Sequence, residues 1–249
     1  TKAVKVAGSS AELTNTLVSG TSSVIAATAL VTVNDAAFST DTNVTIAATT
    51  LSNIGGKTTG AVTLAKKVRI QGSQSEVATA LVGGSSVAAS QANTEARVTT
   101  TVNVNQGEEI AGVNNIQGIF ASGVSDSLSS LASGGNSTAK LNTITGDDGD
   151  VAITVSDSGF TTTSATLTAA DLIAVGGKTT GTVTVTNAVK ISGNTADLTN
   201  TLVSGSSSVT AGKALVTVSD AAFSTSSASI AATALSDIGG KTSGAVTVT

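Results

Sequence analysis

The chain is 249 residues long, carries a net charge of −4 and contains no Cys, His, Met, Trp, Tyr or Pro. Without His or Cys it has no imidazole base, no thiolate, no disulfide and no ordinary zinc or copper ligand, which excludes most catalytic chemistry. The negative charge and the scarcity of aromatic residues argue against nucleic-acid binding, and the lack of a run of about 20 apolar residues argues against a membrane helix.

Four related segments follow one another along the whole chain. Residues Val189–Gly205 nearly copy Val4–Gly20, and residues 68–84 and 119–134 are more divergent versions of the same pattern. Self-similarity with a period of about 60 residues predicts one continuous array of stacked repeats. The approximate repeats are 1–66, 67–118, 119–185 and 186–249.

Two short markers recur inside the repeats. Gly-Gly-Lys-Thr occurs three times, and Asp-x-x-Phe follows a Val-rich run three times. We expect the first to be a helix-ending turn and the Asp of the second to cap a turn at a strand end. The Gly-Gly-Lys-Thr copies begin at Gly55, Gly176 and Gly239, and the Asp-x-x-Phe pairs are Asp35 with Phe38, Asp157 with Phe160 and Asp220 with Phe223.

The two ends of the sequence share one phase of the repeat. Residues 244–249 align with 181–186, and residues 1–4 align with 186–189. The piece therefore holds a whole number of repeats, as expected of a length cut from a longer array or of a subunit that continues into its neighbour.

Helix starts are predicted in the first two repeats. Ser9-x-x-Glu12 and Ser73-x-x-Glu76 are capping boxes, in which a short polar residue lies three positions before an acid. Two irregular stretches, the tail of the second repeat at 91–117 and an insert in the third repeat around 140–150, are interpreted as loop-scale variations on one array.

The fourth repeat has the most regular pattern. Its aliphatic residues over 183–191 share one parity, which predicts a strand with one apolar face. A helix of about two turns is expected to start at Asn194 and to end at Gly205. The second half repeats this order, with a strand over 214–218 and a short helix over 230–238.

These elements predict a repeat solenoid, mainly parallel β with short helices or turns. Each repeat forms about two strand-plus-short-helix coils of roughly 30 residues, and strands joined through helices favour parallel pairing. We expect the three Phe of the second marker to stack within the core. A plain β-solenoid is the alternative, because Thr, Val and Gly lower helix propensity.

A resemblance rests on the residues from 171 to 220. Ala-Asp-Leu, Gly-Lys-Thr-Thr-Gly-Thr-Val-Thr-Val, a second Ala-Asp-Leu and Val-Thr-Val-Ser-Asp follow one another there. This order resembles the repeats of giant cell-surface proteins of cyanobacteria and other marine bacteria. The resemblance implies an exported, very long surface or matrix protein, sometimes attached to calcium-binding repeats of the hemolysin type. The Gly-Gly-x-Gly-x-Asp nonapeptide of those calcium repeats is missing from this chain.

Gly-Gly-Lys-Thr also suggests a phosphate-binding loop, but its context is wrong. That motif needs a Gly five residues before the Gly-Lys pair, where this chain has a Leu, and it follows a strand, whereas these copies follow predicted helices. The lysines of the motif are therefore interpreted as solvated turn residues. They are Lys57, Lys178 and Lys241.

One acidic cluster is a candidate metal site. Asp147, Asp148 and Asp150 lie on a Gly-containing segment, and calcium prefers several oxygen ligands. They are the candidate calcium ligands, with a solvated loop as the alternative. No other cofactor is expected.

Catalysis is not expected from this sequence. There is no Gly-x-Ser-x-Gly elbow and no His to serve as a base, so only a Ser and Lys pair remains open. Thr-rich alternation at Thr182, Thr184 and Thr186 either forms a solvent face with good β propensity or orders water as in ice-binding solenoids.

The leading hypothesis is a structural, non-enzymatic repeat protein of an extracellular filament, sheath or surface layer. Its partner would be itself, as a homopolymer or as neighbouring repeats of a longer chain, because an open sheet edge recruits further strands. A monomeric stalk of a large bacterial adhesin is the alternative, and an ice-binding solenoid is a remote one.

Overall fold

The computed structural model of the protein describes residues 4–20, 24–38, 44–82, 87–92, 94–160, 166–204, 209–221 and 229–249. The chain divides into two compact units, Thr1–Ser122 and Gly123–Thr249. Each unit has its own sheets and helices, and the boundary lies near the predicted start of the third repeat.

The described residues of unit 1 form two parallel four-stranded sheets and four short α-helices. Its strands are β1 (Lys5–Gly8), β2 (Leu30–Val33), β3 (Thr45–Ala47), β4 (Val62–Leu64), β5 (Arg69–Gly72), β6 (Val87–Ala89), β7 (Thr94–Val98) and β8 (Ile116–Phe120). Its helices are α1 (Ser10–Leu13), α2 (Ala48–Gly55), α3 (Gln74–Leu81) and α4 (Val104–Ala111). The strand orders are β1-β2-β4-β6 and β3-β5-β7-β8.

In unit 2 the described ranges also form two parallel four-stranded sheets, with a small antiparallel hairpin in addition. Its strands are β9 (Val124–Asp126), β10 (Ala132–Ser133), β11 (Asn136–Ser137), β12 (Ile153–Val155), β13 (Thr166–Thr168), β14 (Val183–Val185), β15 (Lys190–Gly193), β16 (Val209–Thr210), β17 (Leu215–Val218) and β18 (Val246–Val248). Its helices are α5 (Leu128–Leu131), α6 (Ala139–Asp147), α7 (Ala169–Gly176), α8 (Thr195–Leu198) and α9 (Ala232–Gly239). The sheets run β16-β14-β12-β9 and β13-β15-β17-β18, and β10 pairs with β11.

Every pair within the four large sheets is parallel, so the chain needs a long connection between the two strands of a pair. We call the stretch from one strand to the next strand paired with it a crossover. Between paired residues, the shortest crossover advances 22 residues along the chain, from Thr94 to Ile116, and the longest advances 31, from Val31 to Val62. The predicted parallel strands alternating with short helices are confirmed.

Alternate residues of most strands and one face of most of the longer helices form the core. In β14, Val183 and Val185 are buried whereas Thr184 is half-exposed. In α2, Leu51 and Ile54 are fully buried. Because the strands pair in register, the outward residues also align into rows. One such row in unit 2 is Ser125, Thr154, Thr184 and Thr210.

The capping boxes predicted at the first two helix starts are confirmed. The Ser9 hydroxyl accepts a hydrogen bond from the Glu12 N–H, and the Glu12 carboxylate accepts one from the Ser9 N–H at 2.8 Å. Ser73 and Glu76 make the same pair, with 2.7 Å between the Ser73 nitrogen and the Glu76 carboxylate. A further box that the sequence analysis missed starts α4, where Asn103 and Gln106 replace the Ser and Glu.

The helices after Ser9 and Asn194 change type within their length. Each begins as one α-helical turn and continues as a π-helical turn, over Thr14–Val18 and Thr199–Val203. The N–H groups of Ser19 and Ser204 bond to carbonyls five residues earlier, both at 2.9 Å. Both π-helical turns have the sequence Thr-Asn-Thr-Leu-Val, which carries no signal that distinguishes a π-helix from an α-helix. The sequence therefore predicted only a helix of about two turns. The predicted helix end at Gly205 lies outside the described residues.

Two predictions about elements are wrong. The single strand expected over 183–191 is two strands, β14 and β15, which belong to different sheets. Between them the Asn187 side chain donates to the Asp157 carbonyl at 2.6 Å, and the Ala188 carbonyl accepts from the Phe160 N–H, so the chain turns a corner there. The insert around 140–150, expected to be loop-scale, instead lies mostly in helix α6.

The expectation that the marker Phe side chains stack within the core is also wrong for the two that the structure describes. Phe38 is half-buried and Phe160 is 39 % exposed. The Arg69 guanidinium lies 4.2 Å from the centre of the Phe38 ring, and the Lys190 ammonium lies 4.4 Å from that of Phe160. Each ring therefore makes a cation–π contact near the surface. The cation comes from the first residue of a later strand, β5 for Phe38 and β15 for Phe160. Phe223 lies outside the described residues.

The capping boxes predict a pH dependence of stability. Hydrogen bonds from the backbone and then the side chain of Ser73 hold the pKa of Glu76 below its ordinary value of 4.5. A group whose pKa is lowered on folding stabilises the fold above its ordinary pKa, and this contribution is lost as the pH falls through the folded value. In Glu76→Gln the unfolding free energy, measured by urea denaturation from pH 7 to pH 3, should therefore fall less steeply than in the unmodified protein.

The reverse change is the control. Asn103–Gln106 is the same box with a neutral partner, so Gln106→Glu should make the fall below pH 4.5 steeper. If the unfolding free energy falls equally steeply with pH in the unmodified protein and in both variants, the lowered pKa of Glu76 in the capping box is contradicted.

Candidate functional site

The Gly-Gly-Lys-Thr marker is part of a six-residue turn that makes the same contacts in three places. It has the form Gly-Gly-Lys-Thr-Thr/Ser-Gly and occupies 55–60, 176–181 and 239–244. Each copy begins at the last residue of a helix and leads into a strand, from α2 to β4, from α7 to β14 and from α9 to β18. The predicted helix-ending position of Gly55, Gly176 and Gly239 is confirmed.

The Thr in the fourth position of this turn binds the crossover before it. The Thr58 hydroxyl donates to the Ala29 carbonyl at 2.6 Å and accepts from the N–H of Gly60 at 2.9 Å. Thr179 makes the same pair, donating to the Val151 carbonyl at 2.7 Å. Thr242 repeats it on Ala214, and Thr58 and Thr179 are buried. One hydroxyl therefore links two chain segments about 30 residues apart and satisfies two backbone groups.

The last Gly of the turn is required by the same close approach. A Cβ atom on Gly60 would lie 2.1 Å from the Ala29 carbonyl oxygen, and one on Gly181 would lie 2.2 Å from the Asp150 carbonyl oxygen. Gly244 stands in the same relation to Ala214. Any side chain there would push the two crossovers apart.

These contacts also show why the turn does not form a phosphate loop. In such a loop the backbone N–H groups point at the phosphate. Here the Thr59 N–H donates to the Ala27 carbonyl at 2.8 Å, and the N–H groups of Thr180 and Ser243 make the equivalent bonds at 2.9 Å. The three lysines of the motif are exposed, in agreement with the prediction of solvated turn residues.

The buried Thr should contribute more to stability than its exposed neighbour. Thr179→Val keeps the shape but leaves the Val151 carbonyl and the Gly181 N–H without their partner, at a cost of about 1–3 kcal/mol in unfolding free energy. Thr180→Val is the matched control, because Thr180 is exposed and its hydroxyl bond to Gly149 is longer, at 3.3 Å. Equal losses in urea denaturation would contradict this role.

The Asp of the second marker caps a helix in the neighbouring crossover. The Asp35 carboxylate accepts from the Ser10 N–H at 2.6 Å and from the Ser10 hydroxyl at 2.8 Å. Asp157 accepts from the Leu128 N–H at 2.6 Å, and Asp220 accepts from the Thr195 N–H at 2.9 Å. All three donors are the first residue of a helix, so each Asp satisfies an N–H that has no partner within that helix.

The sequence analysis predicted capping but placed it within a local turn, which is wrong. The sequence did carry a signal for the helix that each Asp caps. The same 25-residue spacing separates Ser10 from Asp35 and Thr195 from Asp220. In the second repeat Thr100 takes the place of the Asp, and its hydroxyl accepts from the Gln74 N–H at 2.9 Å. Helix capping from the next strand is thus present in all four repeats.

Removing one of these carboxylates tests the cap. Asp35→Ala leaves the Ser10 N–H without its acceptor and should lower the unfolding free energy by about 1 kcal/mol. Asp35→Asn keeps an acceptor oxygen and should lose less. In urea denaturation, a larger decrease in unfolding free energy for Asp35→Asn than for Asp35→Ala would contradict the cap.

The candidate calcium ligands lie around the end of α6. Asp147 is the last helical residue, Asp148 follows it and is buried, and Asp150 lies in the next turn. The carbonyl oxygen of Gly149 binds the turn at Thr180, as described above. Within the described part of the chain no three acidic side chains are grouped so that they would hold a metal ion. A calcium site here stays a prediction.

Two shallow depressions lie on the described surface. The first, of about 370 Å³, is lined by Ser, Thr, Asn and aliphatic residues between 10 and 50. The second, of about 460 Å³, has Ser204 and Lys241 on its rim, and Lys241 is exposed. A buried Lys beside a Ser would favour an enzyme, but in this pair the Lys is exposed. No helix in the described ranges combines the length and the apolarity needed to cross a bilayer.

Comparisons of the chain with protein-family models, with curated proteins and with solved structures match nothing. What the protein does is therefore inferred from its own contacts.

Proposed function

We propose that the protein is a structural, non-enzymatic repeat protein that assembles end to end in an extracellular filament, sheath or surface layer. The observation that carries this proposal is the repetition of the Thr and Asp contacts between neighbouring crossovers. These polar contacts hold one crossover to the next. They do not converge on a cleft.

The finer fold that we propose for each unit is a short solenoid. Both units have parallel pairs in register, with steps of similar length and a helix in most crossovers. In such an arrangement each crossover is stabilised by its neighbours, and its end is an open sheet edge. A solenoid is the arrangement in which one contact set can be used again at every step.

Open sheet edges support assembly. Strand β1 pairs with β2, and β18 pairs with β17; within the described residues each has no strand on its other side. Edge strands of this kind pair with another chain unless charges, Pro or a covering segment prevent it. The chain has no Pro, β18 is the uncharged sequence Val-Thr-Val, and β1 carries a single charge, on Lys5. These edges can therefore accept a further strand.

The composition supports service outside the cell. A chain without Cys, His or Met has no side chain that titrates near neutral pH and no sulfur to oxidise, so its surface is insensitive to redox state and to mild pH change. The resemblance to giant bacterial surface proteins points the same way.

A monomeric adhesin stalk is the alternative, because stacked repeats also serve as spacers. Ice binding is a more remote alternative, which only the outward row of Ser and Thr residues in unit 2 favours.

Light scattering coupled to size-exclusion chromatography, run over a hundredfold range of concentration, separates assembly from a stalk. We expect masses that rise from the monomer value of 23.9 kDa in whole multiples, and electron micrographs that show filaments or sheets. A mass that stays at 23.9 kDa throughout would contradict assembly and favour the stalk.

A further inference from the structure

The first and last strands and the residues next to them expose aliphatic side chains whose counterparts elsewhere in the chain are buried. Val4 is 62 % exposed, whereas its counterparts Val68 and Val189 are each 2 % exposed. At the other end Val248 is 51 % exposed, whereas its counterpart Val185 is 4 % exposed. The same residue type at the same repeat position is thus covered inside the array and uncovered at its ends.

The uncovered positions form two sets. We call Val4 and Val6 the leading face, and Ile230, Ala232, Leu235, Val246 and Val248 the trailing face. Counterparts of the trailing face in the first and third repeats are all buried in the core, whereas its own members are half-exposed or exposed. These counterparts are Ile46, Ala48, Leu51, Val62 and Leu64, and Leu167, Ala169, Leu172, Val183 and Val185.

The chain itself shows what covers such faces. In unit 2, β13 pairs with β15, Thr166 lying opposite Lys190 and Leu167 opposite Ile191. In unit 1, β3 pairs with β5 in the same register. The counterpart of β13 and β3 in the last repeat is the segment 229–231, and the counterpart of β15 and β5 at the start of the chain is β1.

We propose that the trailing face of one copy binds the leading face of a second copy in this same register. Ser229 then lies opposite Lys5 of the second copy, and Ile230 lies opposite Val6. The inference rests on the proposed function, and it adds the identity of the partner surface and the pairing of residues across it.

A glycine contact supports the same register. A Cβ atom on Gly193 would lie 2.7 Å from the Ala169 Cβ, and one on Gly72 would lie 3.0 Å from the Ala48 Cβ. For the equivalent Gly8 the three nearest atoms all belong to Glu12 and Leu13 of its own helix. In the proposed junction Ala232 of the preceding copy occupies the place that Ala169 and Ala48 take inside the chain.

A matched pair of charge substitutions tests the junction. Ala232→Asp places a carboxylate where the counterparts Ala48 and Ala169 are fully buried, yet an acid is compatible with the first turn of α9. Thr233→Asp adds the same charge at the next residue, whose counterpart Thr49 is exposed. We expect Ala232→Asp to remain monomeric at concentrations where Thr233→Asp and the unmodified protein assemble, with all three melting alike as monomers.

Failure of the junction and failure of the proposed function give different results. An unmodified protein that never assembles contradicts the function itself. Assembly that Ala232→Asp leaves unchanged contradicts the junction alone.

Cysteine cross-linking tests the register directly, because the chain has no cysteine of its own. Differently tagged Ser229→Cys and Lys5→Cys copies are mixed and oxidised, and we expect a disulfide between the two tags because directly opposite residues lie within disulfide reach. Ser229→Cys with Ala7→Cys is the control, since Ala7 has the same strand parity but lies two residues along. A heterodimer yield for the control equal to or above that of the first pair, or no heterodimer for either pair, overturns the register.

Discussion

Parallel pairing constrains everything else in this molecule, because a parallel partner cannot be reached by a tight turn. Each strand of the large sheets finds its neighbour a crossover of 22 to 31 residues away. The hydrogen bonds of a strand and the burial of its aliphatic face therefore depend on the crossover before it and the crossover after it. Side-chain contacts that fix the distance between neighbouring crossovers therefore stabilise the strand hydrogen bonds and the burial of the aliphatic faces as well.

Two polar side chains provide such contacts. A buried Thr hydroxyl joins the turn after a helix to a carbonyl of the preceding crossover, and an Asp carboxylate joins a strand end to the start of a helix in the adjacent crossover. Both satisfy backbone groups that would otherwise lack partners, as buried backbone groups must be satisfied. The markers that stand out in the sequence are therefore structural, and their resemblance to ligand-binding motifs reflects shared use of Gly, Thr and Asp in tight turns.

The sequence predicted what depends on local chemistry. Ser9 and Ser73 identified helix starts, and alternation identified aliphatic strand faces, because capping and burial act over a few residues. The corner between β14 and β15 could not be found this way, since Asn187 and Ala188 turn the chain through bonds to Asp157 and Phe160 about 30 residues earlier. Phe38 was misplaced for a related reason, because the Arg69 cation that holds its ring at the surface comes from another strand.

The location of the Thr contact has a consequence for how a repeated sequence of this kind changes length. Thr58 and its acceptor Ala29 both belong to residues 1–66, and Thr179 and Val151 both belong to 119–185. A duplicated repeat therefore arrives with donor and acceptor together, and a deleted repeat removes both. Recombination that adds or removes such a segment therefore leaves every remaining Thr contact complete, and this joint needs no compensating substitution in another repeat.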